Sequence, residues 1–157
     1  MTSKEIKIAY TEYASLEELE PKDKELAQAA IDATAQAYAP YSRFNVGAAV
    51  LGEDGVIVKG SNQENAAYPS GLCAERTALF YASASRPDKA MVAISIAAVH
   101  NGELCETPAT PCGACRQVMA QYQLKSGLPM MVLLVGAHKI WKFDKVDDLL
   151  PLIFDSI

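Results

Sequence analysis

The stretch MVAISIAAV, residues 91–99, decides how this chain folds. It is a continuous apolar run, too short for a membrane span and rich in strand formers. It reads as a strand buried on both faces, which needs cover on both. On its C-terminal side, residues 112–124 carry a helical pattern, followed by a second buried strand at 130–135. On its N-terminal side, CAERTALFYASA gives a helix over residues 72–84. Further upstream, two apolar runs at 44–51 and 56–61 flank Gly52, Glu53, Asp54 and Gly55, the pattern of a β-hairpin. The order implies a partly parallel sheet with right-handed crossovers and helices on both faces.

The outer parts follow from the same rules. Leu26, Ala29, Ala30, Ala33 and Ala37 recur at helical spacing, predicting a helix over 22–38 with a small-residue face, stopped by Pro40. Alternation of Ile6, Ile8 and Tyr10 predicts a short N-terminal strand. Ser15 to Glu18 has the form of a capping box, soon interrupted by Pro21. Residues 63–71 are polar, with Pro69 and Gly71, and read as a loop. Asn101-Gly102 is a turn. Residues 140–143 read as an edge strand, and 146–150 as a short terminal helix ending at Pro151.

At 157 residues, the chain suits a single domain with a substantial core. Half of it is apolar and 21% charged, which excludes a disordered chain. The net charge of −5 gains nothing from phosphate neutralisation, so nucleic acid is a poor partner and a small ligand fits better. There is no apolar signal segment at the N-terminus and no run long enough to span a membrane. The expectation is a cytoplasmic protein, where thiols stay reduced and four cysteines point to metal, catalysis or packing.

Two of these cysteines lie in TPCGACRQ, residues 110–117. Thr110 suits a helix N-cap and Pro111 the first helical position. Cys112 and Cys115 then share a first turn, and both sulfurs can face one point. A helix N-terminus stabilises thiolates. Taken alone, the pair fits a thioredoxin-type redox motif as well as a metal site. Cys73, in GLCAERTALF, opens another predicted helix. Three thiolates at two neighbouring helix starts can hold one zinc and leave a fourth position for water. Cys105 falls outside any pair spacing and reads as incidental; His100 and His138 read as strand-end or surface residues. Arg76 and Arg116 stand beside the cysteines, where a guanidinium donating to sulfur would withdraw negative charge from the metal. Glu75 shares the helix entry with Cys73 without being a ligand, the position needed for general acid/base work.

Cys73-Ala74-Glu75 followed by Pro111-Cys112-Gly113-Ala114-Cys115 resembles the three-cysteine form of the zinc deaminase signature. YAPYSRFNVGAAV, NQENAAYPSGLCAERTALF and TPCGACRQV together resemble the small homotetrameric cytidine deaminases. The resemblance runs from about Tyr38 to Gln117. It implies a three-layer α/β/α sandwich with a mixed five-stranded sheet. It implies one Zn²⁺ per chain on Cys73, Cys112 and Cys115, and hydrolytic deamination of cytidine and deoxycytidine in pyrimidine salvage. Glu75 would move the protons. Asn62 and Glu64 would bind the ribose 3′-hydroxyl, Phe44 would pack on the base, and the backbone of Ala74 and Cys112 would contact its polar edge. Tyr68 and Phe154 would reach a neighbouring subunit's pocket. The implied partners are a free nucleoside and further copies of the chain, not nucleic acid or membrane. Residues 21–157 form the expected catalytic domain, with 1–20 as an extension.

Two other readings compete. A thiol–disulfide oxidoreductase would use Cys112 and Cys115 but leave Cys73, Glu75, Asn62 and Glu64 without roles. A zinc-stabilised binding module would want four ligands and no Glu75.

Overall fold

The structure is a computed structural model, which describes residues 1–155. Its strands are β1 (Thr11–Tyr13), β2 (Phe44–Gly52), β3 (Ile57–Ser61), β4 (Met91–His100), β5 (Glu103–Leu104), β6 (Met131–Val135) and β7 (Ile140–Phe143). Its α-helices are α1 (Pro21–Ala33), α2 (Ala74–Ser85) and α3 (Gly113–Ser126). All strands join one sheet in the order β1-β7-β6-β4-β2-β3, with β5 paired to the end of β4. The β4–β6 ladder is parallel and the other ladders are antiparallel. The sheet is therefore mixed, as expected, but has seven strands among the described residues: the five expected ones plus short β1 and β5.

Period-2 alternation divides this sheet into two differently built faces. Ala49, Ala93, Ala97, Leu133 and Val135 point to α1 and meet Leu26, Ala27 and Ala30. Ala48, Val50, Ile94, Ile96, Val132 and Leu134 point the other way and meet Ala74, Ala78, Leu79, Cys115 and Met119 of α2 and α3. Two glycines permit this closeness. A Cβ on Gly47 would lie 2.1 Å from the Ala30 carbonyl oxygen of α1. One on Gly60 would lie 2.5 Å from the Ala78 nitrogen of α2.

Several expectations need correcting. Ile6, Ile8 and Tyr10 lie outside any strand; the paired segment is Thr11–Tyr13, against β7. Tyr10 instead stacks on Phe143 at 5.3 Å between ring centroids. Since β1 covers it, β7 is an inner strand, and the sheet edges are β1 and β3. Ser15 stands at the N-cap of a 3₁₀ turn, Leu16–Glu18, that ends before Pro21, and Pro21 then opens α1 at its first turn, where its missing N–H costs nothing. The capping carboxylate of Glu18 accepts from Ala14 N–H at 2.9 Å, not from Ser15. α1 ends at Ala33, well before Pro40, and passes into a 3₁₀ turn over Thr34–Gln36. The terminal segment is a 3₁₀ turn, Val146–Asp148.

Candidate active site

α2 and α3 start at the same end of the sheet. Each begins with a cysteine at the N-cap: Cys73 for α2, with φ −70° and ψ 153°, and Cys112 for α3, with φ −67° and ψ 166°. Thr110 and Pro111 thus lie before the cap rather than forming it. Cys115 is the third residue of α3 and fully buried, whereas Cys112 is exposed. The three sulfurs lie within 4.8 Å of one another.

Local pairing brings the rest of the site to them. Gln63 and Leu72 exchange hydrogen bonds in both directions at 2.9 Å, which closes the 63–72 loop and sets Cys73 beside the end of β3. Asn62 continues the hairpin with its side chain: Oδ1 accepts from Val46 N–H at 2.8 Å and Nδ2 donates to the Phe44 carbonyl at 2.9 Å. Each amide atom keeps one further hydrogen-bonding position. Glu64 accepts on a single oxygen, Oε2, from the N–H groups of Tyr41 at 2.8 Å and Ser42 at 3.3 Å. These bonds, with the Ser42 hydroxyl contributing most, hold its carboxyl below the usual range.

A cavity of about 480 Å³ opens onto the sulfurs. Phe44, Asn62, Glu64, Cys73, Glu75 and Cys112 line it, and Ala74 stands between Cys73 and Glu75 in its wall. It therefore brings together seven of the expected residues. Tyr68 is 77% exposed and lines an adjoining cleft of about 510 Å³ that shares Ser42, Asn62, Glu64 and Cys73 with the first. Phe154 is 68% exposed and lines neither. Ser42 and Thr110 also line the main cavity and were not expected there. Each is a small polar residue within one of the motif stretches, and that position was the available signal.

The electrostatics separate these groups. A hydrogen bond with Cys115, and then the Arg76 guanidinium, bring the Cys73 thiol down to about 5. Arg76 Nη2 donates to the Cys73 sulfur at 3.6 Å, while its Nε is buried without a partner among the described residues. Cys115 is pushed up, because it retains the proton that it shares with Cys73 and because it is buried. Burial also pushes the Glu75 carboxyl up, only 5% of that residue being exposed. Arg116 behaves unlike Arg76. Its Nε donates to the Pro111 carbonyl at 2.8 Å and its Nη1 to that of Leu149 at 2.9 Å. It braces the chain around α3 rather than donating to a sulfur, which corrects the expected pairing of two arginines with thiolates.

The donor set can be tested against a metal. Tetrahedral zinc–thiolate bonds of about 2.3 Å place sulfurs about 3.8 Å apart. A cluster confined within 4.8 Å fits that spacing. Three soft donors with two helix N-termini behind them suit zinc. Among the described residues the cluster has three donors, leaving one tetrahedral position open. Cys105 stands apart from it, with its backbone bonded to Ala98 and Ala137.

The family described as the cytidine and deoxycytidylate deaminase zinc-binding region matches residues 20–130. The chain belongs to that family. A cytidine deaminase of Halalkalibacterium halodurans is 53% identical over 97 residues, or 61% of this chain and 68% of that protein. A cytidine deaminase of Mycobacterium tuberculosis is 43% identical over 93 residues, or 59% of this chain and 65% of the relative. The crystal structure of cytidine deaminase from Burkholderia pseudomallei superposes with a TM-score of 0.70 at 40% identity. That match covers 83% of this chain and 97% of the other. The M. tuberculosis crystal structure gives 0.66 at 32% identity, covering 84% and 96%. The deaminase fold and a zinc-binding region are thus common ground between this chain and its relatives, with Cys73, Cys112 and Cys115 as the clustered donors.

Proposed function

We propose that this chain is a zinc-dependent cytidine deaminase of pyrimidine salvage. It converts cytidine and deoxycytidine, with water, to uridine and deoxyuridine, releasing ammonia. The observation that carries the reading is the three-sulfur cluster at the two helix starts, with the buried Glu75 on the first turn of α2. The named activity of the relatives supports it.

Cys73, Cys112 and Cys115 would hold the zinc. Bound there, zinc supplies Lewis-acid activation of water. Glu75 carries the water's first proton to the pyrimidine N3, and the second, released from the hydroxyl added at C4, to the departing amine. Oxygen bonds to C4, the C4–N bond breaks, and ammonia leaves. A carboxyl raised by burial suits this traffic, because its protonated and ionised forms lie closer in energy near neutral pH. Arg76, donating to Cys73, offsets the charge of three thiolates. Phe44 packs against the base, and the backbone of Ala74 and Cys112 contacts its polar edge. Asn62 and Glu64 bind the ribose 3′-hydroxyl through the hydrogen-bonding positions that β2 and residues 41–42 leave free.

The exposed rings of Tyr68 and Phe154 support a homotetramer in which each pocket borrows residues from a neighbour. The catalytic unit is residues 21–157, with 1–20 as an extension that adds β1 to the sheet. No helix among the described residues is long and apolar enough to cross a membrane, and a free-nucleoside substrate suits the cytoplasm. The net charge of −5 and the anionic Glu64 disfavour nucleic acid and a 5′-phosphate.

The test is an ultraviolet assay on cytidine, with zinc analysis. Wild-type enzyme turns over cytidine and loses activity to a strong chelator. Glu75→Ala retains zinc and loses at least about 10²-fold in turnover, the scale of removing a general acid/base. Unchanged turnover in that variant defeats the assignment. Equal activity on cytidine and its monophosphate defeats the free-nucleoside preference.

A further inference from the structure

The helix that carries Cys112 and Cys115 also holds the C-terminal segment. Arg116 binds the Leu149 carbonyl, Leu149 is buried, and Leu150 and Ile153 pack on the core. One residue beyond Arg116, the Gln117 side chain meets the backbone of Phe154 at two points. Nε2 donates to the Phe154 carbonyl at 2.7 Å, and Oε1 accepts its N–H at 3.2 Å. A side-chain amide thus makes both bonds that a neighbouring strand would make.

The clamp ends at a ring that this chain leaves uncovered. Phe154 is 68% exposed and lines neither cavity. Ordering a backbone costs conformational entropy, and a largely exposed aromatic ring returns little of it. The ordering gains a purpose if the ring has a fixed destination outside its own chain.

We propose that Gln117 is a positioning residue that sets Phe154 for insertion into the pocket of a second copy. This rests on the deaminase reading and on the sharing of pockets between copies. Gln117 lies two residues after Cys115, so one helix fixes both a sulfur of its own site and the aromatic wall of another. The ring contacts ground state and transition state alike, so its misplacement affects KM more than kcat.

The test uses full-length, zinc-loaded enzyme and cytidine. Gln117→Ala raises KM about tenfold, the scale of losing an aromatic contact, with kcat within about twofold. Zinc per chain stays unchanged. Gln117→Glu, similar in size but unable to donate to the Phe154 carbonyl, shifts KM in the same direction. Phe154→Ala raises KM at least as much, and Gln117→Ala added to it has no further effect, because the clamp acts only through the ring. An unaltered KM in Gln117→Ala, or effects that multiply in the double variant, overturns the proposal. If Gln117→Ala does not fold, Gln117→Glu is read by the same criteria. Wild-type enzyme inactive on cytidine would instead overturn the underlying deaminase reading.

Discussion

The two faces of the sheet share their strands and differ in what those strands allow. Toward α1, β4 presents Ala93, Ser95 and Ala97; toward α2 and α3 it presents Ile94 and Ile96. Both faces bring a helix within touching distance of a glycine, Gly47 on one side and Gly60 on the other. Close packing therefore does not distinguish the working face from the supporting one. What distinguishes them is where helix ends converge. α1 lies alone on its face, joined to β7 by the Lys142–Asp23 ion pair at 2.5 Å. α2 and α3 begin side by side and place three sulfurs and one carboxyl around one point. Core burial needs only a face, whereas chemistry needs particular atoms at particular ends.

A matched pair of substitutions tests this division most severely. Cys115→Ala on the α3 side abolishes zinc retention and activity. Leu26→Ala on the α1 side costs about 2–5 kcal/mol of stability, with activity per folded molecule preserved. Metal analysis, urea denaturation and the cytidine assay read all of these outcomes. Zinc loss in Leu26→Ala would show that the faces are coupled.

The glycines sharpen the comparison at smaller scale. Gly47→Ala and Gly60→Ala each force a backbone apart and cost about 1–3 kcal/mol. Only Gly60→Ala, beneath the helix of Cys73 and Glu75, also weakens zinc binding, measured by competition with a chromophoric chelator.

The ion pair gives a pH signature. Its hydrogen bond with Asp23 raises the Lys142 pKa above the ordinary 10.5. The folded value is the higher one, so the contribution is fully present below about pH 10.5 and is lost as pH rises through the folded value. For this partly exposed pair, Lys142→Met costs about 1 kcal/mol at pH 8. The difference narrows above pH 11, as urea denaturation at the two pH values would show; a constant difference would deny the linkage.

The smallest effect lies in the centre of the α1 face. The Ser95 hydroxyl is fully buried and has no hydrogen-bond partner among the described residues. Ser95→Ala removes that unmet demand and changes stability by no more than about 1 kcal/mol, in the stabilising direction. A marked loss of stability in thermal denaturation would reveal a partner for the hydroxyl.

Some of this was legible from the residues. Patterns in 44–61 and 91–99 give the hairpin and the central strand, because hydrophobic periodicity survives wherever one or both faces are buried. Alternation misled at Ile6, Ile8 and Tyr10. A strand also needs a neighbour with free hydrogen bonds, and the chain meets β7 only at Thr11. The same contact makes β7 an inner strand, a property of the neighbour rather than of residues 140–143. Arg76 and Arg116 look equivalent in the sequence, each beside a cysteine. One donates to sulfur and the other to two carbonyls, because only packing determines which acceptors a long guanidinium reaches. Gln117 gave no signal, since its partner lies far along the chain.

The sequence by itself determined the chemistry available: four thiols, three of them at predicted helix starts, a carboxyl beside one of these, and strands that must be covered on both faces. Those are properties of residue type and local spacing. Tertiary structure decided that α2 and α3 open at one end of the sheet, that Cys73 joins Cys112 and Cys115, and that Glu75 is buried. Such convergence depends on pairing between segments distant in the chain, which no local pattern encodes.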